Sequence, residues 1–264
     1  MEEVKDDVFQ MEGTKAPGPD GFPGIFYPSY WKTICNDVQG IAADFLRGNS
    51  SPMPLNFTHI ALIPNIPNPE SVSQFRPIGL CNFSYKILSK VMENRLQPHM
   101  SNIISSSQNA FIPRRQMQDN LIIAHEIFHY LKLKKSKKHF DLGVKLDMNK
   151  AYDRVEWDFL EAVMLKMGFA ESWVNLIISC VRSVELFVLI NGQPSHKFKP
   201  SRGLRQGDPI SPYLFLIVSD VLSLLIQSAV SNELLQGIKM GNRAPTLSHL
   251  MFADDTLIFL KAST

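Results

Sequence analysis

The chain has 264 residues, of which 45% are hydrophobic and 20% are charged, and this balance excludes an intrinsically disordered protein. Its three cysteines, Cys35, Cys81 and Cys180, are too few and too far apart for a disulfide framework or a zinc site of paired cysteines. The formal net charge is +2, but residues 76–138 contain 11 Lys/Arg against 3 Asp/Glu. This basic segment indicates either a polyanionic partner or a solvated basic surface.

The first half of the chain is predicted to combine helices with extended segments and loops. Its N-terminal residues are acidic and polar, so we expect no signal peptide and an intracellular protein. Apolar spacing predicts helices over 29–47, 84–96 and 117–133, the second of them amphipathic, with extended segments and loops through the proline-rich stretch 52–80. Five lysines within 132–138 could form a nuclear-import patch.

The second half mixes strands and helices. A run at 142–146, rich in Val and Leu, predicts a buried strand. A helix ending at Gly168 and a second helix over 173–181 follow, and then a hairpin over 185–199 whose turn is Asn191-Gly192.

The long apolar segment at 211–230 predicts a helix that is either a membrane span or a core helix. Asp220 lies near its centre, where a membrane would make the carboxylate cost about 2.5–3.5 kcal/mol. We therefore expect a buried core helix and no membrane partner.

Acidic residues follow two of the predicted strands. Asp254 and Asp255 lie in a tight turn between apolar runs, and Asp147 ends the strand at 142–146. We expect these strands to be buried on both faces, where unpaired carboxylates would be costly to desolvate. A hard cation such as Mg²⁺, which prefers oxygen ligands, would offset that cost. If the strands are neighbours, the sequence predicts a cation site at one end of a sheet.

A competing motif is His-Glu-Ile-Phe-His at 125–129. His125 and His129 share one face of a predicted helix, as in zinc peptidases, and Glu126 would be the general base. No third ligand follows at a suitable position. The alternative is a structural helix in which Ile122, Ile123, Ile127 and Leu131 are core residues.

Five segments, taken together and in order, resemble the reverse transcriptase of LINE-type (non-LTR) retrotransposons, especially the plant copies. They are KAPGPDGF at 15–22, FRPIGLCNFSYKILSKVMENRL at 75–96, KLDMNKAYDRV at 145–155, GLRQGDPISPYLF at 203–215 and FADD at 252–255. FADD alone would be a weak signal, but the ordered set covers the chain from about residue 13 to its end.

The resemblance implies an α+β, right-hand polymerase fold. It places the fingers, with an N-terminal extension, at 1–140 and the palm at 141–264, where a small antiparallel sheet is backed by helices. Helices and a hairpin at 155–200 would be inserted between the palm strands. The implied activity is DNA synthesis from dNTP on an RNA template and a DNA primer, with Mg²⁺ or Mn²⁺.

The resemblance also assigns roles to single residues. Asp147 and Asp254 would bind the metal, with Asp255 beside them and the backbone carbonyl of Met148 as a further ligand. Tyr152 corresponds to the steric gate against a ribose 2′-hydroxyl.

Further matching positions concern the nucleotide and the nucleic acid. Gln206 and Gly207 correspond to the pair that lines the nucleotide pocket, and Arg76 to the arginine that packs on the incoming nucleotide. The candidate nucleic-acid contacts are Lys15, Arg115 and Arg205.

The chain also departs from the family pattern. Asn65 stands where the family usually has lysine, Arg114 where it commonly has glycine, and the chain ends nine residues after Asp255. We therefore expect a truncated domain without a thumb and with weak processive synthesis. A non-catalytic, nucleic-acid-binding remnant is the alternative, and nuclear residence is expected only if the element is functional.

Overall fold

The computed structural model describes residues 2–134, 140–241 and 244–262. The helices, in chain order, are α1 (Glu2–Gln10), α2 (Phe26–Ser29), α3 (Trp31–Leu46), α4 (Phe83–Leu96), α5 (Met100–Ile103), α6 (Met117–Leu133), α7 (Trp157–Lys166), α8 (Glu171–Arg182) and α9 (Ser211–Ser231). The strands are β1 (Phe57–Pro64), β2 (Phe75–Cys81), β3 (Phe140–Asp147), β4 (Glu185–Ile190), β5 (Gln193–Pro194), β6 (His249–Phe252) and β7 (Asp255–Ala262). The predicted mixture of helices and sheets is confirmed.

The chain forms two compact units, each assembled from two separate stretches. The first contains Met1–Leu96 and Tyr152–Ser211, and the second contains Gln97–Ala151 and Pro212–Thr264. This division does not coincide with the predicted boundary between residues 140 and 141. The names fingers and palm, and the boundary between them, stay predictions.

The first unit is built on a sheet with the strand order β2-β1-β4-β5. β1 is antiparallel to β2 and parallel to β4, and β5 returns beside β4. The predicted turn between β4 and β5 is confirmed, since Asn191 and Gly192 have φ values of 51° and 79°. The returning strand is shorter than predicted, and Phe198 forms only an isolated bridge with Leu186.

Helix α4 lies in the core of the first unit. The sequence predicted an amphipathic helix, and Leu88, Val91 and Met92 are indeed buried. Tyr85 and Ser89 are completely buried as well, so the helix is enclosed on more than its apolar face. Their polar groups tolerate burial because both donate hydrogen bonds to a carboxylate, that of Asp208.

The second unit contains an antiparallel sheet with the strand order β3-β7-β6. Helix α6 covers one face, where Ile127 packs in a core cluster with Leu250 and Phe259. The histidine-containing helix was predicted to bury Ile122 and Ile123 also, but these two are 59% and 36% exposed. The prediction is confirmed for Ile127, and Leu131 packs against the same cluster while partly buried; Ala124 is a further core residue of this helix.

The prediction that the strands flanking the acidic residues are buried on both faces is wrong for β3. Leu142, Val144 and Leu146 are 36–39% exposed. β3 is an edge strand, and α6 lies on its opposite face, where a Cβ added to Gly143 would meet Phe128. A single apolar run cannot distinguish an edge strand from a central one.

Helix α9 is long and apolar enough to span a membrane by length and composition, and less than half of it is buried in the structure. Residues at the centre of α9 are nevertheless buried and hydrogen-bonded inside the protein. Asp220 is 2% exposed and accepts hydrogen bonds from the backbone N–H and the hydroxyl of Ser105, at 3.0 and 2.6 Å. Ser223 lies 2.7 Å from Nε2 of the buried His249. These contacts support the predicted core helix.

Candidate active site

The predicted acidic residues lie at one end of the sheet in the second unit. β3 ends at Asp147, whose register partner on β7 is Asp255. Directly paired residues of antiparallel strands point to the same face, with Cβ atoms about 4.5–5.5 Å apart. Asp254 lies in the two-residue turn that connects Phe252 to Asp255. The predicted neighbourhood of these strands is therefore confirmed.

The turn that carries Asp254 is held by a side chain that the sequence did not reveal. Ala253 has a φ of 53°, and primed hairpin turns have a positive φ at this first loop position. The amide of Gln108 accepts a hydrogen bond from the Ala253 N–H at 2.9 Å and donates one to the Ala253 carbonyl at 3.3 Å. Gln108 is 1% exposed, so this contact fixes the turn from inside the unit.

Lys145 provides a cation beside the three carboxylates. Its Nζ atom lies 2.8 Å from Oδ1 of Asp255, and both side chains are more than half exposed. The hydrogen bond to Asp255 raises the pKa of Lys145, and the negative charges of Asp147 and Asp254 contribute in the same direction. One ammonium group therefore lies in the field of all three carboxylates, which shows that this end of the sheet attracts positive charge.

The predicted nucleotide-pocket residues lie in the first unit. The carbonyl of Tyr152 accepts a hydrogen bond from the N–H of Leu204 at 2.9 Å, which ties Tyr152 to the segment that leads into Gln206. The N–H of Gly79 on β2 donates to the Gln206 carbonyl at 3.1 Å. Gly207 has a φ of 98°, and a Cβ there would lie 3.0 Å from the Gly79 carbonyl oxygen. Both the left-handed backbone and the close approach require glycine at 207.

A cavity of about 250 Å³ opens beside this segment, and Gln206, Gly79 and Asp153 contribute to its lining. Arg76 is exposed on β2, three positions before Gly79, and is not among the residues that line the cavity. Its predicted contact with the nucleotide stays a prediction.

Residues 66–264 match the family model described as reverse transcriptase (RNA-dependent DNA polymerase). The chain belongs to the reverse transcriptase family. The match includes both the carboxylates of the second unit and the Gln206 segment of the first. It confirms the family that the ordered sequence segments predicted.

Two relatives of the reverse transcriptase domain come from mobile elements. The uncharacterized 149 kDa protein of transposon TX1 from Xenopus laevis is 24% identical over 258 residues, which are 98% of this chain and 19% of that protein. The Pol polyprotein of a retrotransposable element R2 from Nasonia vitripennis is 25% identical over 256 residues, 96% of this chain and 23% of the relative.

A relative of a different kind is an uncharacterized mitochondrial protein of Arabidopsis thaliana. It is 52% identical over 71 residues, which are 27% of this chain and 58% of that protein. The reverse transcriptase domain therefore spans less than two thirds of the length of each of these three relatives.

The residues at the sheet end fit a divalent cation in their chemistry. Asp147, Asp254 and Asp255 supply only oxygen ligands, as Mg²⁺ and Mn²⁺ prefer, and Met148 follows Asp147 directly after β3. The ammonium group of Lys145 occupies the field of these carboxylates as a stand-in cation. Across residues 2–134, 140–241 and 244–262, however, no three metal-ligating side chains are gathered closely enough to form a complete site.

Two of the arginines predicted to contact nucleic acid make hydrogen bonds within the protein, and their predicted contact with nucleic acid stays a prediction. The guanidinium of Arg115 donates to the backbone carbonyls of Ser101, Ile104, Ser105 and Gln108. These carbonyls lie in and after α5, so Arg115 caps the end of a short helix. Arg205 is also buried, and its partners are described below.

The remaining basic candidates differ in their environment. Lys15 is 66% exposed and pairs with Glu12 at 3.3 Å, so its predicted nucleic-acid contact stays a prediction. Arg95, within the basic segment, forms two hydrogen bonds with Glu3 at 2.7 and 2.9 Å. Of the predicted lysine-rich patch, residues 135–138 lie outside the described residues.

The zinc-peptidase alternative is not supported by the structure. His125, Glu126 and His129 are exposed on α6. In the described part of the chain, no third His, Cys, Asp or Glu completes a metal-binding group with them. The two-histidine spacing is therefore a feature of a solvent-facing helix surface.

Proposed function

We propose that this reverse transcriptase domain catalyses RNA-directed DNA synthesis, in which a dNTP is added to the 3′-hydroxyl of a DNA primer on an RNA template. The observation that carries the proposal is the arrangement of Asp147 beside Asp255, with Asp254 in the adjoining turn. Phosphoryl transfer depends on positioning and charge stabilisation more than on covalent chemistry by the protein. A cluster of carboxylates at a fixed sheet end suits that requirement.

Asp147, Asp254 and the carbonyl of Met148 would hold Mg²⁺ or Mn²⁺ in this reaction. Such ions activate the attacking hydroxyl and neutralise charge on the leaving pyrophosphate when they are bound. The chain itself fixes the carboxylates through the β3–β7 register and through the contact between Gln108 and Ala253. Lys145 balances the charge of Asp255.

The residues of the first unit are proposed to select the nucleotide. Tyr152 would exclude a 2′-hydroxyl by steric clash, and Gln206 would offer its amide close to the sugar. Gly207 permits a close backbone approach, and the exposed Arg76 would contact the phosphates. These roles are supported by the order of the matching segments and by the hydrogen bond that joins Tyr152 to Leu204.

The same proposal includes the division into fingers and palm, the contacts with nucleic acid, and the host and location of the element. We assign the stretches 1–140 and 141–264 to fingers and palm, and basic residues to contacts with template and primer phosphates. The 52% identity with the Arabidopsis protein supports a plant host, although it covers only 71 residues. Nuclear residence of the element follows only if it is functional.

The direct test is single-nucleotide addition, because it does not depend on processivity. The purified chain is given oligo(dT) annealed to poly(rA), dTTP and Mg²⁺, and the fraction of primer extended by at least one nucleotide is measured. We expect Asp147→Asn and Asp254→Asn to abolish addition, since each removes a carboxylate charge with little change of shape. Asp158→Asn is the matched control, because Asp158 is 95% exposed and pairs with Arg182 at the surface.

Unchanged addition by either active-site variant would contradict the proposed metal role. Salt-sensitive binding of the primer–template by the parent, without any nucleotide addition, would instead favour the non-catalytic remnant. Circular dichroism of each variant shows whether the fold is retained.

A further inference from the structure

Arg205 occupies a buried polar site in the first unit, directly before Gln206. Its side chain is 10% exposed. One terminal nitrogen donates to Thr58 Oγ1 at 3.0 Å and to Asn56 Oδ1, and the other donates to Asp208 Oδ2 at 2.7 Å. The guanidinium also stacks on the Tyr85 ring, 4.2 Å from its centroid. The planar, forked side chain of arginine is therefore fixed in both position and direction.

Asp208, the ion-pair partner of Arg205, is anchored equally firmly. Its side chain is 4% exposed. The Tyr85 hydroxyl donates to Oδ2 at 3.0 Å, and the Ser89 hydroxyl donates to Oδ1. Burial raises the pKa of Tyr85 well above its usual value, so this hydroxyl keeps its proton and acts as a donor. Ser89 also accepts a hydrogen bond from the N–H of Ile210 at 3.1 Å, which extends the anchor beyond Asp208.

Gln206 and Gly207 lie between these two anchored residues. The segment is held at one end by Arg205, at the other by Asp208, and in between by the hydrogen bond from Gly79 to the Gln206 carbonyl. Gln206 itself is only partly buried and lines the cavity beside β2. The buried side chains of Arg205 and Asp208 thus determine the position of Gln206, which faces the cavity.

A buried ion pair is not needed for stability alone, because apolar residues of similar volume often stabilise a core equally well. What an ion pair with several directional hydrogen bonds adds is geometric definition. We propose that Tyr85, Arg205 and Asp208 are positioning residues, which hold the Gln206-Gly207 segment in place and thereby determine how well the site selects its nucleotide. The proposal rests on the function proposed above, and it reassigns Arg205 from nucleic-acid contact to internal support.

The first experiment measures the segment itself and needs no enzymatic activity. Hydrogen–deuterium exchange of residues 203–208 is compared in the parent chain, Tyr85→Phe and Arg205→Lys. Tyr85→Phe removes one hydrogen bond and keeps the ring beneath Arg205, and Arg205→Lys keeps the charge and loses the fork. We expect exchange at 203–208, and at the Gly79 amide that is bonded to Gln206, to rise about tenfold in both variants, with the protection of β1 and of the other β2 amides retained.

Arg182→Lys is the matched control for the first experiment. Arg182 is 45% exposed and pairs with Asp158 and Glu161 at the surface of the same unit. We expect its exchange pattern to equal that of the parent. If Tyr85→Phe and Arg205→Lys also leave exchange at 203–208 unchanged, the three residues do not hold the segment and the proposal is overturned.

The second experiment measures nucleotide selection by single-nucleotide addition with dTTP and with UTP. We expect the KM for dTTP to rise about three- to tenfold in Tyr85→Phe and the preference for dTTP over UTP to fall, with kcat within about twofold of the parent. A merely structural role would instead lower the amount of active enzyme and leave the KM and the preference unchanged.

The outcomes separate the two proposals. If Asp147→Asn abolishes addition but Tyr85→Phe changes neither the KM nor the preference, the proposed function stands and the positioning role is overturned. If the parent adds no nucleotide, the proposed function fails and the selection role fails with it. Exchange at 203–208 then still decides whether Tyr85, Arg205 and Asp208 hold the segment.

Discussion

Arg114 has a backbone φ of 68°, in the left-handed region. For a residue with a Cβ this conformation costs roughly 1–2 kcal/mol, because the Cβ approaches the following carbonyl oxygen. The reverse transcriptase pattern commonly has glycine at this position. Glycine has no Cβ and adopts a positive φ without this cost. The departure at Arg114 is thus a source of local strain.

We predict that Arg114→Gly raises the free energy of unfolding by about 1 kcal/mol. Relief of the left-handed strain is partly offset by the larger conformational entropy of glycine in the unfolded chain, about 0.5–1 kcal/mol. Urea unfolding followed by circular dichroism measures the difference. Arg47→Gly is the control. Because Arg47 has an ordinary φ of −81°, we expect this variant to be less stable than the parent. Equal losses in both variants would show that Arg114 is not strained.

At the scale of elements, the hairpin β6–β7 depends on a segment that has no regular structure of its own. The N–H of Met251 donates to the Ser107 carbonyl at 2.8 Å, and the N–H of Asn109 donates to the Met251 carbonyl at 3.2 Å. Residues 107–109 therefore run beside β6 like a short additional strand. Gln108, between them, reaches the turn that carries Asp254.

We predict that Gln108→Ala loosens this hairpin and lowers the free energy of unfolding by about 1–3 kcal/mol, since two hydrogen bonds to Ala253 are lost. Hydrogen–deuterium exchange at 252–255 should rise, and single-nucleotide addition should fall because Asp254 is held less firmly. Gln118→Ala, an exposed change on α6, is the control. Normal exchange at 252–255 in Gln108→Ala would show that the amide contact does not hold the turn.

These elements show how far the sequence could predict the site. The hairpin that carries Asp254 and Asp255 was predictable because two apolar runs on either side of a tight turn are local signals. The partner of its turn was not, because Gln108 and Ala253 are 145 positions apart in the chain. The contact between Tyr85 and Asp208 spans 123 positions and escaped prediction for the same reason. The exposed face of β3 was missed because apolar composition does not report edge position.

At the scale of the whole molecule, each unit contains a buried titratable group, and the two groups have opposite effects on how stability depends on pH. In the first unit, burial raises the pKa of Asp7, although the hydrogen bond from Asn94 opposes the shift. Asp7 therefore contributes stability that is complete below the unfolded pKa near 3.8 and is lost as the pH rises through its higher folded value. In the second unit, burial lowers the pKa of His249, with Asp220 acting in the opposite direction.

His249 makes the second unit sensitive to mild acid. It is 1% exposed, and Ser223 and Ser248 lie within 2.7 and 2.9 Å of its ring nitrogens. Below a pH of about 6.5 the unfolded chain binds a proton at His249, whereas the folded unit binds it only at lower pH. The contribution of His249 to stability is therefore fully present above that pH and is lost as the pH falls towards the folded pKa. The loss can reach about 1.4 kcal/mol per pH unit, or tenfold in the opening equilibrium.

We therefore predict that the protection of 249–259 against hydrogen exchange, corrected for the intrinsic rate, decreases between pH 7 and pH 5.5. His249→Gln keeps a hydrogen-bonding side chain and removes the titration, so its protection should be independent of pH. The same pH dependence in His249→Gln and in the parent would mean that another group in the second unit controls its response to acid.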